Sequence, residues 1–379
     1  MIFFIFYFLF FTICYHYIGF PIISIMMYFF KKNKVRKEKI TPFVSLIIAA
    51  YNEEKVIEKK IYNSLKLDYP SESIEIIVVS DGSNDKTPII VEKFRDSKIF
   101  SLFEPQRKGK TAALNRAVGH ANGDIIIFSD ANSMYESNAI KMLVSNFYDT
   151  TVGGVCGRKS IIKNLQRESS RGDSFFWNFE SFIKTIQSYV GSISTGDGEI
   201  FAIRKNLYSL IPEIVINDDT AITFNIVEKG YRVVYEPEAI SWEEASTNIE
   251  DDFNVKARMV FGGYQTLCIY SRMLFPPKSY FAFQFISHKM LRWLMPFLLI
   301  GLFISNYFIS YGFYIFFWLL QIGFYSIALT GYVMRKNNHE IGYLYFPFYY
   351  CTMNIAALLG FIYFLRKESI TSIWKKADR

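Results

Sequence analysis

The sequence predicts an α/β domain held between apolar ends, and three observations predict it. Short apolar runs alternate with amphipathic helical stretches from about residue 41 to residue 275. Acidic residues recur where these runs meet their following loops, and long apolar segments flank the region on both sides. Hydrophobic residues make up 51% of the 379-residue chain and aromatics 18%, with the excess at the two ends, which argues against a wholly soluble protein.

Residues 1–30 come first. The apolar run from Ile2 to Phe30 is interrupted mainly by His16, Gly19 and Pro21 and is long enough to cross a hydrocarbon core of about 30 Å. No basic residue precedes it and no clear small-residue cleavage site follows, so a retained transmembrane anchor is expected rather than a signal peptide. Residues 31–40 are a basic juxtamembrane linker, with Lys31, Lys32, Lys34, Arg36, Lys37 and Lys39 against Glu38. The positive-inside rule puts this flank in the cytoplasm and the N-terminus outside. Much of the net charge of +7 lies beside apolar segments, pointing to anionic lipid headgroups as partners and not to nucleic acid. The four cysteines, Cys14, Cys156, Cys268 and Cys351, and the four histidines, His16, His120, His288 and His339, show no ligand spacing, so neither a disulfide framework nor a zinc site is expected.

Within residues 41–275, Val44–Ala50 reads as a buried strand ending at Tyr51-Asn52-Glu53-Glu54, followed by a helix carrying Val56, Ile57, Ile61 and Leu65. Ile74–Val79 is a second strand, ending at Ser80-Asp81-Gly82-Ser83-Asn84-Asp85. Thr87-Pro88 starts the next helix, where proline's missing N–H costs little. A helix follows Gly109, with Gly123 expected to close it, and the strand Ile125–Ser129 delivers Asp130, Ala131 and Asn132. Val152–Gly157, Glu199–Ile203 and Arg232–Tyr235 are further expected strands, and Asp219–Gly230 an expected helix with a glycine stop.

Residues 276–293 carry His288, Lys289 and Arg292 among aromatics, a pattern expected of an interfacial helix. Residues 294–365 hold three segments of about membrane length, Leu294–Ser310, Tyr314–Met334 and Tyr345–Leu365, before the basic tail 366–379. An anchor plus three spans would leave the tail outside, whereas its charge places it inside. One apolar segment is therefore expected to lie in the interface or re-enter.

Strand-end carboxylates in an open α/β sheet mark a nucleotide crevice, because ligands sit beyond the carboxyl ends of the strands. Asp130 and Asn132 would offer hard oxygen ligands to Mg²⁺ or Mn²⁺, although an Asx turn would use the same residues. Asp81 would accept from an imide N–H such as that of uracil, and a capped turn is the plain alternative. Arg107–Thr111 lacks the earlier glycine of a phosphate loop, since position 104 is Glu104, but Lys110 at a helix start would still meet a phosphate. Asp218 and Asp219 are paired carboxylates before a helix, where repulsion and burial would raise one toward the range of a general base; Asp218 would equally serve as an N-cap. Thr195-Gly196-Asp197-Gly198-Glu199 is an acidic turn able to approach a sugar.

Together these landmarks, Ala49–Glu54, Ser80–Asp85, Gly109–Asn115, Phe128–Asn132, Gly196–Lys205 and Asn217–Ala239, resemble those of the bacterial membrane-bound family-2 inverting glycosyltransferases. The resemblance implies a GT-A fold, the Rossmann-like nucleotide-diphospho-sugar transferase architecture, in a cytoplasmic domain with N- and C-terminal transmembrane helices. It implies that Tyr51, Glu53, Asp81 and Lys110 bind the nucleotide, that Asp130 and Asn132 form the DXD element and hold the metal with the diphosphate, and that Asp219, beside Asp218, is the catalytic base. Gly196, Asp197 and Arg258 are then expected contacts of acceptor or diphosphate. Asn132 replaces the usual second aspartate, and Asn254–Met259 keeps only Arg258 of the element that commonly accompanies repeated chain extension.

The function expected is transfer of a sugar, most simply from a UDP-sugar, to a cell-surface polysaccharide or lipid-linked glycan at the cell membrane. Single addition is the alternative within the class, and a non-catalytic nucleotide-binding scaffold is the alternative outside it. A transporter ranks last, because few ionisable residues fall inside the apolar segments.

Overall fold

Runs of β-branched and aliphatic residues form an eight-stranded mixed sheet in this computed structural model, which describes all residues except 96–97, 163–168, 245–248, 276–278, 310, 338, 340–341 and 369–379. Strands β1 (Val44–Ala50), β2 (Ile74–Asp81), β3 (Ile99–Glu104) and β4 (Ile125–Asp130) lie parallel in the order β3-β2-β1-β4. The sheet continues beyond β4 through β7 (Phe201–Arg204), β6 (Val152–Ile162), β8 (Arg232–Glu244) and β5 (Met134–Tyr135). Because β7 is antiparallel to both β4 and β6, and β8 is parallel to β6, the carboxyl ends of β1, β2, β4, β6 and β8 open on one side. Ala50 pairs with Ser80 and Ala49 with Asp130, so the loops after β1, β2 and β4 leave the sheet at one level. The order reverses at β1, with β2 on one side and β4 on the other, and that reversal opens a crevice.

Helices cover both faces of the sheet and build the apolar ends. In chain order they are α1 (Ile2–Cys14), α2 (Phe20–Phe30), α3 (Ile57–Leu65), α4 (Thr87–Glu92), α5 (Lys110–His120), α6 (Ala139–Ser145), α7 (Ser169–Val190), α8 (Asp218–Glu228), α9 (Ile249–Ile269), α10 (Ser271–Leu274), α11 (Tyr280–Phe285), α12 (Leu291–Tyr307), α13 (Phe313–Lys336) and α14 (Tyr345–Leu365). Successive strand side chains point to opposite faces. Leu46, Ile48, Val78 and Ile127 therefore pack with Ile57, Ile61 and Leu143 of α3 and α6, whereas Ile47, Val79 and Phe128 pack with Ala113, Leu114 and Ile222 of α5 and α8. A separate aromatic cluster of Phe224, Tyr264, Phe281, Phe285 and Trp293 joins α8 and α9 to the apolar helices.

Several boundaries differ from expectation. β6 and β8 run past Gly157 and Tyr235 to Ile162 and Glu244, because an irregularity opposite Gly157–Arg158 absorbs residues of β8 and lets the pair resume its register. β3, β5 and the long helix α7 lie outside the expected elements. Gly230 does end α8, with φ +84°. Gly123 does not close α5, which stops at His120; a Cβ there would lie 2.4 Å from the Ser45 amide nitrogen, so glycine is required by close approach to β1. Replacing Gly123 with alanine is expected to destabilise the domain by about 1–3 kcal/mol, read as a lower melting temperature.

Four helical stretches among the described residues are long and apolar enough to cross a membrane: Ile2–Phe30, Tyr280–Tyr307, Phe313–Lys336 and Gly342–Leu365. Among the described residues, no helix break separates the expected interfacial segment, from Tyr280 on, from the span after it. α11, a π-helical turn at Ile286–Met290 and α12 follow one another directly. The charges that suggested an interfacial helix are neutralised inside the protein. Glu180 of α7 receives Lys289 Nζ at 3.0 Å and Arg292 Nη1 at 2.5 Å, with His288 Nε2 at 3.3 Å.

Candidate active site

The loops after β1 and β2 are laced together by backbone donors and short polar side chains. Asn52 N donates to Ser83 Oγ, Asn84 N to Asn52 Oδ1, Glu53 N to Thr87 Oγ1 and Glu54 N to Asp85 Oδ2, at 2.8 to 3.1 Å. Asn52 takes φ +54°, a conformation that asparagine tolerates better than most residues. This lacing presents Tyr51 at the crevice edge, where the Arg107 guanidinium stacks 3.9 Å over its ring.

Asp81 ends β2 and is buried, at 5% exposure. Its Oδ2 accepts from the amides of Lys108 at 3.0 Å and Gly109 at 2.7 Å. Its Oδ1 is buried without a hydrogen-bond partner among the described residues. A carboxylate scaffolded on one oxygen and unsatisfied on the other is suited to a ligand donor. The same bonds explain why Arg107–Thr111 is no phosphate loop, since two of its amides are committed to Asp81. Gly82 lets the segment pass, for it takes φ +67° and any Cβ would lie 2.6 Å from that of Arg107.

At the end of β4, Asp130 Oδ1 meets Lys110 Nζ at 2.7 Å. Asn132 Nδ2 donates to Glu243 Oε1 at 2.7 Å, and Lys159 bridges Glu243 to Glu199, lying 3.0 Å from the latter. Lys60 supports the turn from below, fully buried against the Tyr135 ring and donating to the Ser133 carbonyl. Burial lowers its pKa to about 7, opposed by Asp130.

Asp218 and Asp219 open α8 beside the Gly196–Glu199 turn. A Cβ built on Gly198 would lie 3.3 Å from Lys110 Nζ and 3.5 Å from Asp218 Oδ2, which places the turn, the lysine and the paired carboxylates in one cluster. Asp218 is buried, and burial raises its pKa, with Lys110 opposing and Asp130 adding to the rise. Asp219 is half-buried; burial, then Asp218 and Asp197, push it up to about 6, partly opposed by Lys110. For Lys110 burial acts downward, but Asp130, Asp218 and Asp219 outweigh it and keep the ammonium charged. Arg258 of α9 sits near Asp130 and Asp218, which favour its charge, while burial lowers it to about 10.

The structure thus gathers Asp130, Asp218, Asp219, Lys110 and Arg258 from four elements into one crevice beside the loops of Tyr51 and Asp81. Asp197 faces inward, held by Lys184 of α7 at 2.6 Å and by Cys156 Sγ at 3.5 Å. Gly196 lies behind the opening, buried, its amide donating to Thr223 Oγ1 at 3.0 Å, so its backbone N–H is not presented to the crevice. Lys60, Lys159, Lys184 and Glu243 lie outside the expected site residues. Lys60 lies on the buried stripe of Ile57, Ile61 and Ser64, and Lys184 on that of Glu180, Ile183 and Gln187, both at helical spacing.

Among the described residues no three acidic, histidine or cysteine side chains already stand in metal-holding geometry. The donor chemistry nevertheless fits a hard divalent cation. Asp130 and Asn132 carry oxygens at a strand end, Asp218 Oδ2 is buried without a hydrogen bond among the described residues, and burial first, then neighbouring carboxylates, raise Asp218, Asp219 and Glu199.

Three comparisons bear on this geometry. The model of the glycosyl transferase family 2 matches residues 45–211. The probable glycosyltransferase YdaM of Bacillus subtilis (strain 168) is 32% identical over 220 residues, covering 54% of this chain and 51% of that protein. The poly-beta-1,6-N-acetyl-D-glucosamine synthase of Staphylococcus aureus (strain COL) is 27% identical over 232 residues, covering 59% and 55%. The chain therefore spans about half the length of the curated relatives it matches. A solved mannosyltransferase from Pyrobaculum calidifontis, in complex with GDP-Man and Mn²⁺, has a TM-score of 0.72 at 20% identity, covering 96% of this chain and 100% of the other, which is likeness of fold.

Proposed function

Residues 45–211 place the chain in glycosyl transferase family 2, with a GT-A fold, and from that premise we propose that it is a membrane-anchored inverting transferase moving a sugar from a nucleotide-sugar to a growing glycan. The observation that carries this reading is the convergence of a half-buried base candidate, Asp219, with half-buried cations, Lys110 and Arg258, and a strand-end carboxylate in the crevice at the sheet's switch point.

In this reading Asp81 Oδ1 receives the imide N–H of the base, with Tyr51, Glu53 and the stacked Arg107 beside it. Uracil offers that N–H, which favours a UDP-sugar. Lys110 leaves Asp130 to meet the diphosphate, joined by Arg258 from the opposite wall. Asp130 and Asn132 would hold Mg²⁺ or Mn²⁺, a cation that supplies neutralising charge to the departing diphosphate. Asp219 accepts the acceptor's hydroxyl proton as its oxygen attacks the anomeric carbon opposite the leaving group, which inverts the configuration. Asp218, deeper and beside Lys110, keeps that lysine charged and raises Asp219.

The likeness to a polysaccharide synthase supports a glycan or lipid-linked acceptor, and the four apolar helices support a cell-membrane location with the catalytic domain in the cytoplasm. Full-length protein in detergent, offered radiolabelled UDP-glucose, UDP-galactose, their N-acetyl forms and GDP-mannose with divalent cation, is expected to transfer from one UDP-sugar and to lose activity with chelator. Product sizing separates polymerisation from single addition. No transfer from any nucleotide-sugar donor to native membrane acceptors would favour the binding scaffold instead.

A further inference from the structure

Resting on the membrane placement just proposed, we infer that α14 does not cross the bilayer but lies along its catalytic-domain side, as an apolar floor between the lipid and the site-bearing helix α9. At 21 residues α14 would measure about 31 Å, enough to cross if it stood upright. Its contacts lay it along α9. Tyr349, near its start, donates to Asp252 Oδ2 at 2.9 Å. A Cβ on Gly360 would lie 2.4 Å from the Ala257 carbonyl oxygen, and the Phe364 ring packs 6.5 Å from that of Phe261 and 5.5 Å from that of Tyr264. Both ends of α14 therefore rest on α9, and the two helices run in the same direction.

α9 cannot be a membrane-crossing partner. It begins with Glu250, Asp251 and Asp252, carries Lys256 and Arg258, and is tied to the catalytic domain from Met259 onward. Asn217 Nδ2 donates to the Met259 carbonyl at 2.9 Å, Gln265 Nε2 to the Ile214 carbonyl at 3.0 Å, and Tyr270 Oη, just beyond its end, pairs with Asn225 Oδ1 at 2.9 Å. A helix held against α9 from Tyr349 to Phe364 stays at that level.

On its other side α14 meets the three remaining apolar stretches. Tyr350 Oη lies 2.9 Å from Tyr17 Oη, its ring 5.8 Å from that of Phe324, and Phe361 stacks edge-on 5.0 Å from Phe297. Phe346, Ile355 and Leu365 remain exposed, at 65%, 58% and 62%, as a surface for lipid. α14 needs no polar face of its own, because α9 stands between it and the aqueous domain.

The parity conflict then disappears. With Ile2–Phe30, Tyr280–Tyr307 and Phe313–Lys336 as the crossings, the chain returns to the catalytic side before α14 and stays there. Arg335, Lys336, Arg366 and Lys367 join the basic linker on one face, as the positive-inside rule requires.

The test is a pair of reporters fused after the last residue of the full chain in bacterial cells. A fluorescent protein that matures only in the cytoplasm is expected to be bright, and an alkaline phosphatase that folds only outside is expected to be inactive. Active phosphatase with the fusion retained in carbonate-washed membranes overturns the inference and leaves the transferase reading and its membrane placement intact. Release of the protein by the carbonate wash overturns membrane placement and this inference together, while the donor-transfer assay still decides catalysis separately.

Discussion

Replacing Asp219 with asparagine is expected to lower kcat by about 10²–10⁴, the range over which a positioned proton acceptor contributes. That loss corresponds to about 3–5 kcal/mol of barrier. The affinity for UDP, measured by calorimetry, is expected to stay within a few-fold, because Asp219 meets the reaction through the acceptor. The pH profile gives an independent readout. Burial and the neighbouring Asp218 and Asp197 hold Asp219 at about 6, and a base works only when ionised, so kcat/KM should climb as pH rises through about 6 and fall below it. Asp218→Asn removes a charge that pushes Asp219 up, so its acid limb should move to lower pH. Full activity in Asp219→Asn, or an acid limb unmoved in Asp218→Asn, would overturn the assignment of the base.

Asp81→Asn is expected to weaken UDP binding by about 10- to 100-fold, the cost of losing a hydrogen bond to a charged group in a buried site. The variant separates recognition from scaffolding. An asparagine oxygen can still accept from the Lys108 and Gly109 amides, but the NH₂ then replaces Oδ1 and faces the base's N–H with a second donor. Thermal stability should therefore change little while the dissociation constant rises. Asp81→Ala is expected to lose both, since the two part-buried amides would be left without their carboxylate. Unchanged UDP affinity in Asp81→Asn would remove the residue from the donor site.

Much of the catalytic half was legible in the chain because its signals are local. Strand periodicity located β1, β2 and β4, and the chemistry of their last residues named Asp81 and Asp130 before any contact was known. Gly230 and Pro88 marked helix ends through their own backbone restrictions. The supporting side chains were hidden for the opposite reason. Lys159, Lys184 and Glu243 are ordinary charges in sequence and acquire partners only when β6, α7 and β8 come together. Gly123 was misread because a close approach to Ser45 is a property of two segments, whereas a helix stop is a property of one.

By itself the sequence determined the α/β alternation, the apolar ends and the identity of the strand-end carboxylates, all consequences of periodicity and side-chain chemistry over a few neighbouring residues. Only the tertiary structure decided which charges neutralise one another and which partners the apolar helices pack against. Lys289 and Arg292 pair with Glu180 of a distant helix, and α14 lies along α9, contacts that no local pattern carries. Hydropathy reports what a segment can dissolve in. Its orientation is set by the partner it packs against, and that partner lies about a hundred residues away in the chain.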